Sequence, residues 1–241
     1  MKKSLLSALL VAVSVGVQAQ VVSVKYGSEL IPSGGLAGAV LAPNWNNAAS
    51  MSYSVSGSGL LDNSGAATTI AYTLATPATW GGWNIGSTPG QDGNSSYNKL
   101  MLNQYLNSAT AYGNPESLSL SSISYSSYDL YVYVSSDATG RTGNLALGST
   151  TYYFSTVGLA AISGANAQLI QSTDTTGANP TANYVVFSGL TGGSQTLNLD
   201  IPFGGGISAF QIVAVPEPST MALAGLGGLG LLMLRRRMAS I

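Results

Sequence analysis

The chain has 241 residues, of which 45% are hydrophobic and only 7% are charged. This much apolar material argues against a disordered chain, and the absence of a basic surplus argues against nucleic-acid binding. The chain contains neither His nor Cys, which excludes the usual His/Cys zinc sites and His-dependent catalytic triads. We therefore expect no cofactor.

The first residues have the three parts of a secretory signal peptide. Lys2 and Lys3 precede an apolar stretch over residues 5–15, and Val17 and Ala19 place small residues at the −3 and −1 positions of a cleavage site. The stretch is too short for a membrane span, which needs about 20 apolar residues. We expect residues 1–19 to be the signal peptide, removed by cleavage after Ala19.

Residues 20–214 are expected to form the exported domain, and their hydrophobic period is mostly two. Leu130, Val132 and Val134 alternate with polar or aromatic residues, as do Leu118 and Leu120 with serines. Strands are predicted at 50–55, 68–74, 117–120, 129–134, 144–147, 150–154, 184–187, 195–199 and 207–213. Gly-rich turns separate these strands, which predicts an all-β fold, an antiparallel β-sandwich of jelly-roll type. A β-solenoid ranks second because no fixed period recurs.

One segment departs from this pattern. Residues 98–108 place Leu102 and Leu106 at helical spacing, with Leu100 and Tyr105 nearby. This spacing predicts one short helix that covers the sandwich.

Three patterns could indicate a catalytic site or a metal site, and each has a simpler explanation. Ser96 and Lys99 fit the Ser-x-x-Lys spacing of penicillin-recognising enzymes, but serine is so common here that chance matches are expected. A glycan-active enzyme needs two facing carboxylates, for example Asp92 with Glu116. Asp92 and Asn94 also offer alternating oxygens at the start of a calcium loop, although a solvated turn is favoured because the rest of the loop is missing.

The aromatic residues Trp80 and Trp83 flank two glycines and could stack on sugar faces, helped by Tyr97. The alternative is that the indoles fill the end of the sandwich core. For Trp45, which lies between Asn44 and Asn46, the core position is favoured.

The C-terminal segment, residues 215–241, combines three physical features. Pro216 and Pro218 keep the chain extended, the apolar residues 221–234 carry no charge, and Arg235, Arg236 and Arg237 stay cytoplasmic under the positive-inside rule. Fourteen helical residues span about 21 Å, less than the roughly 30 Å of a hydrocarbon core. This marginal length favours a temporary anchor over a permanent one.

Pro-Glu-Pro, an apolar segment and an arginine cluster in this order resemble the PEP-CTERM sorting signal. The resemblance implies processing by exosortase, a membrane-embedded cysteine transpeptidase of bacteria that make exopolysaccharide. It implies that Pro216, Glu217 and Pro218 are the recognition motif and that the three arginines are the stop signal.

A second resemblance concerns the exported domain. The segments 44–47, 100–106, 128–134, 183–187 and 206–213 are similar to a recurrent β-rich domain type that carries PEP-CTERM tails. This resemblance implies a β-sandwich of unassigned function.

These observations favour a non-enzymatic surface or matrix protein of a Gram-negative, biofilm-forming bacterium. The expected partners are the general secretion machinery, exosortase and, for the exported domain, exopolysaccharide. The protein would be anchored transiently in the inner membrane before it reaches the cell surface or the extracellular matrix. The alternatives are a secreted glycan-active enzyme with paired carboxylates and a structural protein that self-associates through sheet edges.

Overall fold

Short strands connected by glycine-rich turns build the domain that follows the predicted signal peptide. The computed structural model describes residues 19–77, 81–108, 110, 115–202 and 204–216. Residues Gln20–Glu217 form one compact unit. Its strands are β1 (Val21–Lys25), β2 (Asn46–Asn47), β3 (Ser54–Ser58), β4 (Ala71–Ala75), β5 (Gly82–Asn84), β6 (Gln104–Leu106), β7 (Glu116–Ser121), β8 (Tyr128–Ser136), β9 (Thr142–Leu147), β10 (Thr150–Ser155), β11 (Tyr184–Leu190), β12 (Gln195–Asp200) and β13 (Gly205–Ala214).

The strands form three sheets. The order in the five-stranded sheet is β11-β8-β13-β1-β2, and in the six-stranded sheet it is β10-β9-β12-β7-β4-β3. Strands β5 and β6 form a two-stranded sheet. All of these pairs are antiparallel except β1 with β2. The prediction of an all-β fold is confirmed, whereas this strand order does not establish a jelly-roll topology.

The inward side chains of the two large sheets share one hydrophobic cluster. Leu118, Leu120 and Leu74 from the six-stranded sheet lie in the same cluster as Val132 and Phe210 from the five-stranded sheet. Removal of this apolar area from water is the main stabilising contribution to the fold. The strict alternation in β7 has this cause, because only one face of that strand is buried.

The five-stranded sheet is buried on both faces. A second cluster on its other side contains Met101, Leu102, Tyr133 and Ala209, and the structure also buries Trp45 there. Eight successive residues of β13 are consequently buried. Polar residues on this face, such as Gln211, are therefore also buried, and Gln211 donates to the hydroxyl of Ser23 at 3.0 Å.

The predicted helix over 98–108 is correct only in its first part. Helix α1 spans Asn98–Leu102, after which the chain forms strand β6. All three residues of β6 are buried, and they pair with β5. Backbone pairing with β5 satisfies their polar groups in an extended form, which overrides the helical spacing. A second short helix, α2 (Ala160–Ser163), was not predicted.

The predicted signal peptide (residues 1–19) and the C-terminal segment (residues 215–241), together called the addressing segments, lie outside the described residues except for residues 19, 215 and 216. This applies to residues 1–18 of the predicted signal peptide and to the apolar segment 221–234. Within the part of the chain that the structure describes, no helix has the length and apolar content needed to cross a membrane.

Candidate functional site

The three aromatic residues proposed for sugar binding have different environments. Trp83 lies in β5 with 55% of its side chain exposed, and its cross-strand partner is Tyr105. Tyr97 is half-buried and packs against the second hydrophobic cluster. Trp80 lies outside the described residues. Among the two that are described, Trp83 is the residue that presents an exposed ring.

The candidate metal ligands Asp92 and Asn94 instead organise their own loop. The backbone N–H of Lys99 donates to Oδ1 of Asp92 at 3.1 Å, and Ser96 Oγ and the Ala167 N–H each donate to Oδ2 at 3.0 Å. Asn94 Oδ1 accepts from Ser96 Oγ at 2.9 Å. Within the described residues no cluster of three or more acidic side chains is arranged to hold a metal ion. These oxygens stabilise a turn, as such side chains commonly do.

The carboxylate of Glu116 is completely buried. It accepts a hydrogen bond from the backbone N–H of Ile207, at 3.2 Å from Oε1 and 3.3 Å from Oε2. Burial raises the pKa of Glu116 well above its ordinary value, and the hydrogen bond from Ile207 opposes this only in part. Asp92 and Glu116 were the example of a carboxylate pair given by the sequence. They accept hydrogen bonds from different backbone N–H groups, Asp92 from Lys99 and Ala167 and Glu116 from Ile207.

The raised pKa of Glu116 predicts that the fold loses stability as the pH rises. Below the ordinary pKa of a glutamate, the carboxyl is neutral in both the folded and unfolded states. Above it the unfolded chain ionises first, so the free energy of unfolding falls by up to about 1.4 kcal/mol per pH unit until the folded pKa is reached. We expect Glu116→Gln to flatten this dependence, measured by urea denaturation between pH 5 and pH 8. Equal pH slopes in the two proteins would contradict the prediction.

A second buried polar group, the amine of Lys25, connects β1 to β6. Its Nζ donates to the carbonyl of Tyr26 at 2.9 Å and to Oε1 of Gln104 at 3.3 Å. Burial lowers the pKa of Lys25 to about 8, although nearby Glu29 opposes the shift. Glu29 in turn accepts from Asn103 Nδ2 at 2.8 Å. Sequence reasoning missed this network, since no local pattern brings β1 and β6 together.

The outward face of the six-stranded sheet is a polar surface rich in hydroxyl groups. The alternation of its strands sends eighteen residues outward, three per strand, and none of them is buried. We call this set the hydroxyl face, because eleven of its members are Ser or Thr. Its residues are Ser54, Ser56, Ser58, Ala71, Thr73, Ala75, Ser117, Ser119, Ser121, Thr142, Asn144, Ala146, Thr151, Tyr153, Ser155, Thr196, Asn198 and Asp200.

The chemistry of the hydroxyl face is neutral hydrogen bonding. Of its eighteen residues, all of which are described, Asp200 alone carries a charge. Hydroxyl and amide groups both donate and accept hydrogen bonds, and they are regularly spaced because adjacent strands lie about 4.8 Å apart. The serine alternation in β7 was visible in the sequence. Its continuation across six strands was not, because it depends on their order and register.

The sorting segment begins where the last strand ends. Strand β13 ends at Ala214, whose N–H donates to the carbonyl of Gln20 at 2.8 Å. The Val215 N–H donates to Ser127 O at 2.9 Å, and Pro216 is exposed. Glu217, Pro218 and the three arginines lie outside the described residues. Gln20 and Ala214, the first and last residues of the predicted exported domain, are therefore directly hydrogen-bonded to each other. The predicted signal peptide precedes Gln20, and the sorting segment follows Ala214.

Comparison with known proteins assigns this segment. The PEP-CTERM protein-sorting motif matches residues 214–237, which include the Pro-Glu-Pro sequence and all three arginines. No match was found among curated proteins or among solved structures. The motif implies export, a membrane-anchored C-terminus before processing and exosortase as the processing partner. The sorting motif at residues 214–237 thus identifies the chain as a PEP-CTERM protein.

Proposed function

We propose that this protein is a non-enzymatic component of the cell surface or extracellular matrix whose exported domain binds exopolysaccharide. The observation that carries the proposal is the combination of a sorting motif at residues 214–237 with the hydroxyl face. Exosortase would release the domain from the inner membrane of a Gram-negative cell. Cleavage after Ala19 would free the other end.

The hydroxyl face is chemically suited to a polymer of sugars. Sugar hydroxyls need partners that both donate and accept, and serine, threonine and asparagine provide both. A polysaccharide is a repeating chain, so a face with repeating groups can contact several of its units at once, and such weak contacts add through multivalency. Trp83 offers an exposed aromatic ring that could contribute stacking.

Binding to exopolysaccharide from the parent strain tests this proposal. The unit 20–216 contains both hydrophobic clusters, so we expect it to fold without the tail. We expect this unit to co-sediment with the purified polymer, and a variant with Trp80→Ala and Trp83→Ala measures the aromatic contribution. Failure to co-sediment would overturn the proposed function.

The same experiment separates the two alternative functions. Release of new reducing ends from the polymer would indicate a glycan-active enzyme. Concentration-dependent sedimentation of the protein alone, without polymer binding, would indicate a structural protein that associates through its sheet edges.

A further inference from the structure

Three side chains form a continuous row across one end of the hydroxyl face. In the antiparallel register Tyr153 of β10 lies opposite Asn144 of β9, and Asn144 lies opposite Asp200 of β12. All three belong to the outward face. Because adjacent strands are about 4.8 Å apart, the row is about 10 Å long. This length is suited to one or two sugar rings placed end to end.

The three residues of the row line an open groove. The groove has a volume of about 290 Å³ and is also lined by Thr142, Asn179 and Pro202. This volume is close to the lower end of those found for small-molecule sites. An aromatic ring beside two amides, a carboxylate and a hydroxyl is a lining that can contact both the apolar and the polar faces of a sugar.

The border of the groove is fixed by the loop over residues 174–181. The Tyr153 N–H donates to Asp174 O at 2.9 Å and the Ser155 N–H to Pro180 O at 2.8 Å, so this loop continues the sheet beyond β10. Asn179 has a φ of 54° and its N–H donates to Oδ2 of Asp174 at 3.0 Å. The loop that presents Asn179 is therefore held by its own hydrogen bonds.

The polar side-chain atoms of the row are available to a ligand. Tyr153, Asn144 and Asp200 make no side-chain hydrogen bond within the described part of the protein. The lining carries a single negative charge, at Asp200. A polyanionic chain would be repelled there, whereas a neutral sugar can donate its hydroxyls to the carboxylate in charge-assisted hydrogen bonds.

We propose that this groove, which we call the Tyr153 groove, is a subsite for a neutral polysaccharide. One sugar ring would stack on the Tyr153 ring while its hydroxyls bond to Asn144, Asp200 and Asn179. The rest of the polymer would continue over the hydroxyl face. This inference rests on the proposed function and names the part of the domain that binds the polymer.

Binding of the unit 20–216 to immobilised dextran, galactan and mannan tests the subsite, with alginate as the polyanionic comparator. We expect at least one neutral polymer to bind and alginate to bind more weakly. Tyr153→Ala should weaken binding about tenfold because the stacking surface is lost. Asp200→Asn should weaken it about threefold to tenfold, since a charge-assisted hydrogen bond becomes an ordinary one. Tyr153→Phe keeps the ring and should retain most of the binding.

The matched control is Tyr53→Ala, because Tyr53 is 57% exposed and directly precedes β3, the opposite edge strand of the same sheet. We expect it to bind like the wild type, and all variants should unfold at similar temperatures. Equal losses for Tyr53→Ala and Tyr153→Ala would overturn the subsite. If the wild type and the Tyr153 and Asp200 variants bind the polymer equally, the subsite is wrong and the proposed function stands. If the wild type binds neither these polymers nor the parent exopolysaccharide, both are wrong.

Discussion

Replacing Pro216, Glu217 and Pro218 by alanine in the full chain is expected to leave the protein in the membrane fraction. The matched motif spans residues 214–237, so this change removes the Pro-Glu-Pro sequence that we expect exosortase to recognise and keeps the apolar segment and the arginines. Cell fractionation and immunoblotting against the exported domain measure the result, and we expect nearly all of the released form to be lost.

A neighbouring substitution provides the control for the sorting motif. Ser219→Ala with Thr220→Ala changes the two polar residues directly after Pro-Glu-Pro and should leave release intact. Release of the triple-alanine variant at the wild-type level would refute processing through this motif. The outcome does not depend on polysaccharide binding, so the sorting and binding roles are tested separately.

Gly206→Ala is expected to destabilise the domain strongly. A Cβ at this position would lie 1.5 Å from the carbonyl oxygen of Leu106 and 2.7 Å from its carbonyl carbon. Both atoms belong to backbone, which cannot rotate away like a flexible side chain. Strand β6 would have to move off β13 at a point where the Ser108 N–H donates to Gly205 O at 2.8 Å. Overpacking of this kind costs about 3 kcal/mol.

Thermal and urea unfolding of the unit 20–216 measure this effect. For a domain of this size, such a loss lowers the unfolding temperature by roughly 10 °C. Gly90→Ala is the matched control, because a Cβ there meets nothing within 4 Å. A Gly206→Ala protein as stable as Gly90→Ala would show that β6 does not pack against β13 as described.

The strands of the six-stranded sheet could be predicted because their alternation is a local signal. Leu118 and Leu120 face the core and the serines between them face outward, so a period of two is visible within six residues. In the five-stranded sheet the first half of β8 still alternates, but the signal weakens in the second half of β8 and in β13, where both faces are covered. Strand β6 was predicted as helix for a related reason, since its three residues are all buried and show no alternation.

The candidate binding surface could be predicted only in part. The sequence left open whether Trp80 and Trp83 stack on sugars or fill the core, and the structure leaves Trp83 55% exposed. Tyr153 was not identified as a candidate, because Asn144 and Asp200 are 9 and 47 positions away in the chain and become its neighbours only through register. Likewise, nothing local marks Glu116 as the buried carboxylate beneath β13.

The sequence by itself determined that the chain carries a sorting motif, which implies export and a membrane-anchored C-terminus before processing. A sorting signal is read as a short linear segment, so the order of prolines, apolar residues and arginines in 214–237 is sufficient to identify it. The tertiary structure alone decided which residues form the hydroxyl face and the Tyr153 groove. Strand order and register bring together side chains that are distant in the chain. The order and register are in turn fixed by burial of both sheets against a common core.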